Sequence, residues 1–489
     1  MVAKLVQAAE LGGPEPTYTA LSYCWGDTRP FRLLQGNHEA LMMDIPWAEL
    51  PLTVRDAMSY TKALHIGYIW IDSLCIVQDD VKDWAFEAER MLRIYAGSHL
   101  TFLAREATNA DGGCFSLPAD LSPQSHVFLA STGTNGIEAV YAHVSTQPIK
   151  QRGPLRSRGW TLQETVLSRR TVEIKHSELV WNCHSEVFHE TGLKLGPEMI
   201  LRTTEQLTPV LGDMVGINAQ ADIKWNHIWW KHIEDYTRRR FTYSSDRIPA
   251  LAGLAELYQR VTKDEPFLGL WKNTLHEDLS WMRSDSKRDR ELDPPPPTPL
   301  PSWSPFSCRQ SVEFRPWHSR RWGRDSTKAM YGPVESCLTI MLCHTSWTGR
   351  RFVSNPGFSL LIVSGPVSML HLTQAIEAGD RYTPSFNINV EVGLSRGRRR
   401  PLKCRIQWDE EGFRPAATWL CLLIERKIPE RHEVSAETFL VLDRVITASN
   451  SSVYRRIGLG SLGRGRDEDE AESFEWTFDL TNLLTLTLA

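Results

Sequence analysis

The sequence predicts an α/β amino-terminal domain, a parallel sheet with helices on both faces, followed by a helical segment and a β-rich carboxyl-terminal region. Three observations predict it. Strand-like and helix-like periodicities alternate between Tyr18 and Ala104, the pattern of a parallel α/β sheet. The run Tyr68–Ile71 is apolar on both faces, as a central parallel strand is. The last third carries β-prone runs (Phe358–Val363, Trp419–Ile424, Phe439–Val445) and few helical stripes.

In chain order, Tyr18–Tyr23 is a β-prone run that stops at Trp25-Gly26-Asp27, a turn signal. Thr53, with Asp56 three residues on, predicts a capped helix start, and Val54, Ala57, Met58, Thr61, Leu64 and His65 recur at helical spacing up to Gly67 as the stop. Tyr68–Ile71 comes next and ends in Asp72. Asp79 or Asp80 then caps a helix whose apolar stripe is Val81, Trp84, Ala85, Ala88, Met91, Leu92 and Tyr95. His99–Ala104 is a third strand. Residues 108–150 read as loop, and Thr171–Lys175 with Leu179–Cys183 as a hairpin. Residues 205–283 read as helical and Trp-rich. Asp293–Pro299 is a polyproline break, and Arg464–Glu472 a solvated charge run. The parts are drawn at 15–200, 201–300 and 301–489.

The chain has 489 residues, with 55 Lys+Arg against 59 Asp+Glu and a formal charge of -4. That balance gives no global electrostatic reason to bind nucleic acid or an anionic membrane. Nine scattered cysteines without a CxxC pair read as reduced thiols. The apolar runs fall far short of the ~20 residues that span a bilayer, and no secretory h-region opens the chain. The expected location is cytoplasmic.

Several motifs offer chemistry. Gly458–Gly463 fits GxGxxG but lies in a β-rich region, so a flexible turn is the preferred reading over a dinucleotide loop. Cys183-His184 with His189, and Cys343-His344, each lack a second properly spaced pair, so no metal is expected. Walker A and GxSxG sequences are absent, and no cofactor is expected. Asp72 is better placed, just past the carboxyl end of a parallel strand, where open α/β sheets bind ligands. Capping its own turn through Ser73-Leu74 is an equal alternative. Arg158–Glu164 groups a cation, an aromatic and a carboxylate, with Trp160 and Glu164 on one face if helical. It reads either as a ligand site or as a packed Trp beside a surface ion pair.

Three blocks together resemble the fungal heterokaryon incompatibility (HET) domain. They are Tyr18–Asp27, Tyr68–Asp80 continued by Met91–Ala96, and Arg158–Glu164. Leu50–Asp56 is similar to the segment before the family's second block. Tyr236, Ser245–Gly253, Gly269–Trp271, Pro301–Ser304 and Tyr454–Gly458 resemble the region downstream of this domain in many fungal proteins. Two departures stand out. Only 17 residues precede Tyr18, so the family's usual earlier strand is expected to be missing or shortened, and Val77 stands where the family often has Asn.

The resemblance implies fungal allorecognition, in which such proteins trigger programmed cell death, and a fold similar to the Toll/interleukin-receptor (TIR), flavodoxin-like domain. Some TIR domains cleave NAD with one glutamate four residues after a Trp, and Trp160–Glu164 is similar. The resemblance therefore nominates Glu164 as catalytic and Ser22, Trp25, Asp72, Arg158 and Trp160 as substrate-binding, with Arg158 meeting the pyrophosphate. The partner expected besides NAD is a second copy or another cell-death protein. The alternatives are a non-enzymatic self-assembly module and an inactive truncated member.

Overall fold

The structure, a computed structural model, describes residues 2–8, 16–26, 30–114, 127–133, 136–142, 153–175, 178–183, 186–190, 192, 194–195, 225–284, 300–314, 334–345, 359–376, 386–393, 399–410, 418–427, 435–446, 451–464 and 477–489. The chain divides into two compact units, Met1–Gln220 and Ala221–Ala489.

The first unit is built on a seven-stranded mixed sheet. β1 (Tyr18–Ser22) pairs in parallel with β2 (Tyr68–Ile71) on one side and β3 (Leu100–Ala104) on the other. A separate hairpin of β4 (Val127–Gly133) and β5 (Gly136–Ala142) lies within the stretch expected to be loop. β6 (Arg170–Ile174) joins β3 in parallel. β7 (Leu179–Cys183), β8 (Val187–His189) and β9 (Lys194–Leu195) then add antiparallel, giving the order β2-β1-β3-β6-β7-β8-β9. The sheet is thus parallel only over four strands. The β6–β7 connection is too short for a parallel crossover, which needs a dozen or more residues, so the chain turns back as the predicted hairpin.

Apolarity misplaced one strand. β2 is an edge strand rather than a central one. Its outer positions are partly exposed, and only Ile71 is fully buried. Trp70 is there to meet Tyr95 edge-on, ring centroids 5.5 Å apart. β1 and β3 take the centre.

Among the described residues, five helices serve this sheet: α1 (His38–Met43), α2 (Leu52–Ala63), α3 (Asp72–Cys75), α4 (Val81–Gly97) and α5 (Thr161–Leu167). Alternation along β1 sends its side chains to two sides. Thr19 shares a 2.6 Å hydrogen bond with Thr61 of α2, while Ser22 reaches Glu164 of α5. Thr101 of β3 shares a 2.7 Å bond with Ser168, just after α5. Helices therefore cover both faces. The α2 side holds the main core, including Leu21, Val54, Ala57, Phe102 and Ile174.

The helix ends show where local rules held. Asp80 caps α4, accepting from the amides of Lys82 (2.8 Å) and Asp83 (3.3 Å), a standard N-cap pattern. Thr53 does not cap α2. It lies inside the helix, its hydroxyl accepts from Gly113 N (3.1 Å), and Asp56 accepts from Cys114 N (2.8 Å). The pair holds a distant turn instead. α2 also stops earlier than predicted, at Ala63, with His65 rather than Gly67 in the left-handed conformation (φ 57°).

The second unit opens with two long helices, α6 (Trp225–Thr237) and α7 (Pro249–Thr262), and a short α8 (Leu275–Asp278). Pro249 fits the first helical turn, where its missing N–H costs nothing. A nine-stranded sheet spans Val334 to Leu488. The GxGxxG glycines are not a turn but part of the strand Ser452–Arg464. A Cβ on Gly460 would sit 2.2 Å from the Phe439 ring, so glycine is there to admit that ring. The predicted polyproline break (293–299), the helical reading of 205–224 and all of the acidic run after Arg464 lie outside the described residues. Among the described residues, no helix is long and apolar enough to cross a membrane.

Candidate functional site

The carboxyl ends of β1 and β2 bring the three sequence blocks together. In the order β2-β1-β3 the chain leaves β1 for one side and returns to the other, so β1 and β3 flank the switch in strand order. Loops leaving adjacent strands in opposite directions open a crevice at such a point.

Ser22 is the last residue of β1 and is 1% exposed. Its hydroxyl donates a short hydrogen bond to Oε2 of Glu164. Glu164 lies on α5 and is 7% exposed. Tyr95 of α4 stands close enough to act on the Glu164 carboxyl, while its hydroxyl donates to the Leu21 carbonyl at 3.4 Å. Burial pushes Glu164 up to about 7, with nearby Asp72 adding to the rise, while Ser22, Arg158 and Tyr95 oppose it. The physical cause is desolvation of a charge in a low-dielectric site.

Asp72 begins α3 immediately after β2 and is partly exposed. It accepts from Ser73 N at 2.7 Å, so the turn-capping reading is met. It also accepts from the Trp25 indole, at 3.0 and 3.2 Å to its two oxygens. Asp72 thus ties the first block to the second. Burial raises its pKa to about 6, and Arg158, Ser73 N and Trp25 work against that.

Trp25 depends on a glycine. Gly26 has φ +79°, and a Cβ there would meet the Cβ of Asn109 at 2.4 Å. Only glycine combines that left-handed backbone with so close an approach.

Arg158 donates from Nη1 to the Tyr23 carbonyl at 2.6 Å, and its charge also acts on the Cys24 thiol. Its charge acts on both Asp72 and Glu164. The guanidinium is therefore the counter-charge of the carboxylate pair. Trp160 directly precedes α5, and the Glu164 amide donates to its carbonyl at 3.4 Å. Its ring meets Trp84 of α4 edge-on at 6.0 Å between centroids.

Ser22, Trp25, Asp72, Arg158 and Glu164 thus form one connected group, and Trp160 stands at its α4 side. Sequence reasoning missed three members. Tyr23 donates to Ser73 Oγ at 2.8 Å, and Tyr95 acts on Glu164 and donates to the Leu21 carbonyl. Tyr23 and Ser73 lie inside the first two blocks, which was the available signal. Tyr95 looked like one more apolar stripe residue of α4.

The candidate metal ligands do not converge. His189 Nδ1 lies 3.0 Å from Glu178 Oε2, Cys183 points at the Glu186 carbonyl, and His184 lies outside the described residues. Cys343 and His344 are successive residues of one strand and so face opposite sides. Among the described residues, no three His, Cys, Asp or Glu side chains gather as a metal-binding group.

Residues 18–164 match the family described as heterokaryon incompatibility protein (HET). The match runs from the first residue of β1 to Glu164. The chain is also similar to heterokaryon incompatibility protein 6, OR allele, of Neurospora crassa. The two are 32% identical over 97 residues, which is 18% of this chain and 14% of the relative. The matched stretch thus spans about a seventh of the relative's length. No solved structure matches the chain. Residues 18–164 are a HET domain.

Proposed function

We propose that this chain acts in heterokaryon incompatibility and promotes cell death through its HET domain, a TIR-like, flavodoxin-like module that cleaves the nicotinamide–ribose bond of NAD. The observation that carries this reading is the convergence of Ser22, Asp72, Arg158 and Glu164 at the carboxyl edge of the parallel strands. The strand order β2-β1-β3-β6 supports the flavodoxin-like part.

The chemistry asks for few groups. The C1′–N bond breaks with its electron pair passing to the pyridinium nitrogen, which neutralises that ring. The leaving group needs no proton, so one carboxylate can replace the usual glycosidase pair. Ionised Glu164 would face the cationic ribose of the transition state, oriented by Ser22. Water adds at C1′ and gives up one proton to solvent. Asp72 and the Trp25 indole would line the rim, and Arg158 would favour the ionised form of Glu164 against the burial that opposes it. Nicotinamide, ADP-ribose and a proton result.

A second reading rests on exposed apolar side chains. β2 is an edge strand carrying the exposed Tyr68, and Phe86 on α4 is also exposed, which suits assembly of copies without catalysis. Expressing the whole chain in yeast and following NAD, viability and oligomer size together separates the two. Falling NAD before death supports cleavage. Death at constant NAD with oligomers forming supports assembly and removes the enzymatic reading.

A further inference from the structure

A second polar group sits two strands away on the same sheet edge. Ser22 is paired in register with Leu103 of β3, and Leu103 with Glu173 of β6. Side chains in one row of a parallel sheet share a face, so Ser22 and Glu173 face the same side, roughly 10 Å apart at about 4.8 Å per strand. Glu173 is buried, and cations surround it. Arg105, the residue after β3, pairs with it at 2.5 Å, and Lys175, the residue after β6, stands 4.0 Å away. Arg156 acts on it as well. Burial alone would raise the Glu173 pKa, yet Arg105, Lys175 and Arg156 together hold it below the ordinary value.

One short turn serves both polar groups. The 3-10 turn Pro154–Ser157 packs on the Arg105 backbone, with Leu155 N donating to the Arg105 carbonyl at 3.4 Å. From it the charge of Arg156 acts on Glu173, and the next residue but one, Arg158, reaches the Tyr23 carbonyl and acts on the carboxylate pair. Acids also stand close by: Glu178 pairs with Lys175 at 3.4 Å and with His189, and Glu106 adjoins Gly153.

Two atoms here lack partners among the described residues. Arg105 Nε and Asn182 Oδ1 are buried without a hydrogen bond, although Asn182 Nδ2 donates to Glu173 at 3.4 Å. Buried polar atoms are normally satisfied. A guanidinium N–H left open beside two further cations suits a phosphate oxygen, and an open amide oxygen suits a hydroxyl donor.

We propose that Arg105, Arg156 and Lys175 form an anion subsite that takes the diphosphate of a nucleotide ligand whose ribose lies at Glu164. The proposal rests on the ribosyl reading of the Glu164 site and moves the diphosphate, which the family resemblance gave to Arg158, to these three cations, since Arg158 is engaged with the Tyr23 carbonyl. Glu173 acts as an internal stand-in that keeps the three cations together while no ligand is bound.

The test uses the intact chain and ADP as probe, which carries the diphosphate but no scissile nicotinamide. Calorimetric titration of the wild type should give saturable binding that weakens as salt rises. Lys175→Gln and Arg156→Gln should each weaken ADP binding about tenfold. Glu173→Gln, which removes the competing negative charge, should tighten it. ADP has no bond for the enzyme to cleave, so this test stays separate from the one for cleavage. ADP binding with no NAD consumption would leave the anion subsite standing and remove the enzymatic reading. Absence of ADP binding to the wild type overturns the subsite. So does binding that Lys175→Gln and Arg156→Gln leave intact, or that Glu173→Gln fails to tighten in protein whose circular dichroism matches the wild type.

Discussion

Replacing Glu164 by Gln should stabilise the protein at alkaline pH while removing the proposed NAD cleavage. Glu164 is 7% exposed and its pKa is raised to about 7, chiefly by burial. A carboxyl that is harder to ionise folded than unfolded binds more protons in the native state. Its contribution is then full below the unfolded value and is lost as pH rises through the folded one. The window therefore runs from about 4.5 to about 7. At 1.36 kcal/mol per pH unit the rise corresponds to about 3 kcal/mol lost by pH 8. Glutamine keeps the shape, can accept from Ser22 and cannot ionise. Glu164→Gln should match the wild type at pH 5 and exceed its stability by up to about 3 kcal/mol at pH 8. Urea unfolding of the intact chain followed by tryptophan fluorescence measures this at both pH values. A variant destabilised equally at pH 5 and pH 8, or a wild type whose stability does not fall across that window, would refute the reasoning.

The same geometry sets other outcomes. Because Arg158 opposes the raised pKa of both Asp72 and Glu164, Arg158→Met should lower stability at pH 7 and move the rising limb of any NAD-cleaving activity to higher pH; an unchanged pH–rate profile would detach Arg158 from the pair. In the second unit Arg456 is fully buried, 3.0 Å from Asp409, and donates to the carbonyls of Leu279 (2.8 Å) and Trp281. Arg456→Met leaves the half-buried Asp409 and the Leu279 and Trp281 carbonyls without their partner and should cost about 3 kcal/mol in chemical unfolding. Gly460→Ala should cost about 1–3 kcal/mol, since its methyl would press into the Phe439 ring. A neutral result there would show that the Phe439 ring yields and does not require a glycine at 460.

Local signals in the sequence located the first three strands, the cap of α4 and the hairpin β6–β7, because each is set by near neighbours and turn chemistry. What failed was set by distant contacts. Tyr68–Ile71 is as apolar as a central strand because Ile69 and Ile71 join the core and Trp70 packs on Tyr95, yet its rank in the sheet depends on where the chain crosses over. Thr53 and Asp56 have the spacing of a cap but spend their oxygens on Gly113 and Cys114. Gly458, Gly460 and Gly463 share a motif with nucleotide loops, whereas the Phe439 ring explains the middle one. The site was legible as three blocks, and the identity of Glu164 and Asp72 could be named from them. Their mutual influence through Arg158, the effect of Tyr95 on Glu164 and the row joining Ser22 to Glu173 arise only when the sheet forms.

Chromatography of NAD incubated with the purified intact chain tests the central proposal most directly. Wild-type protein should release nicotinamide and ADP-ribose in equal amounts, faster as pH rises through about 7, and Glu164→Gln protein should release neither. Intact NAD after incubation with folded wild-type protein, or equal turnover by the Glu164→Gln variant, would contradict it.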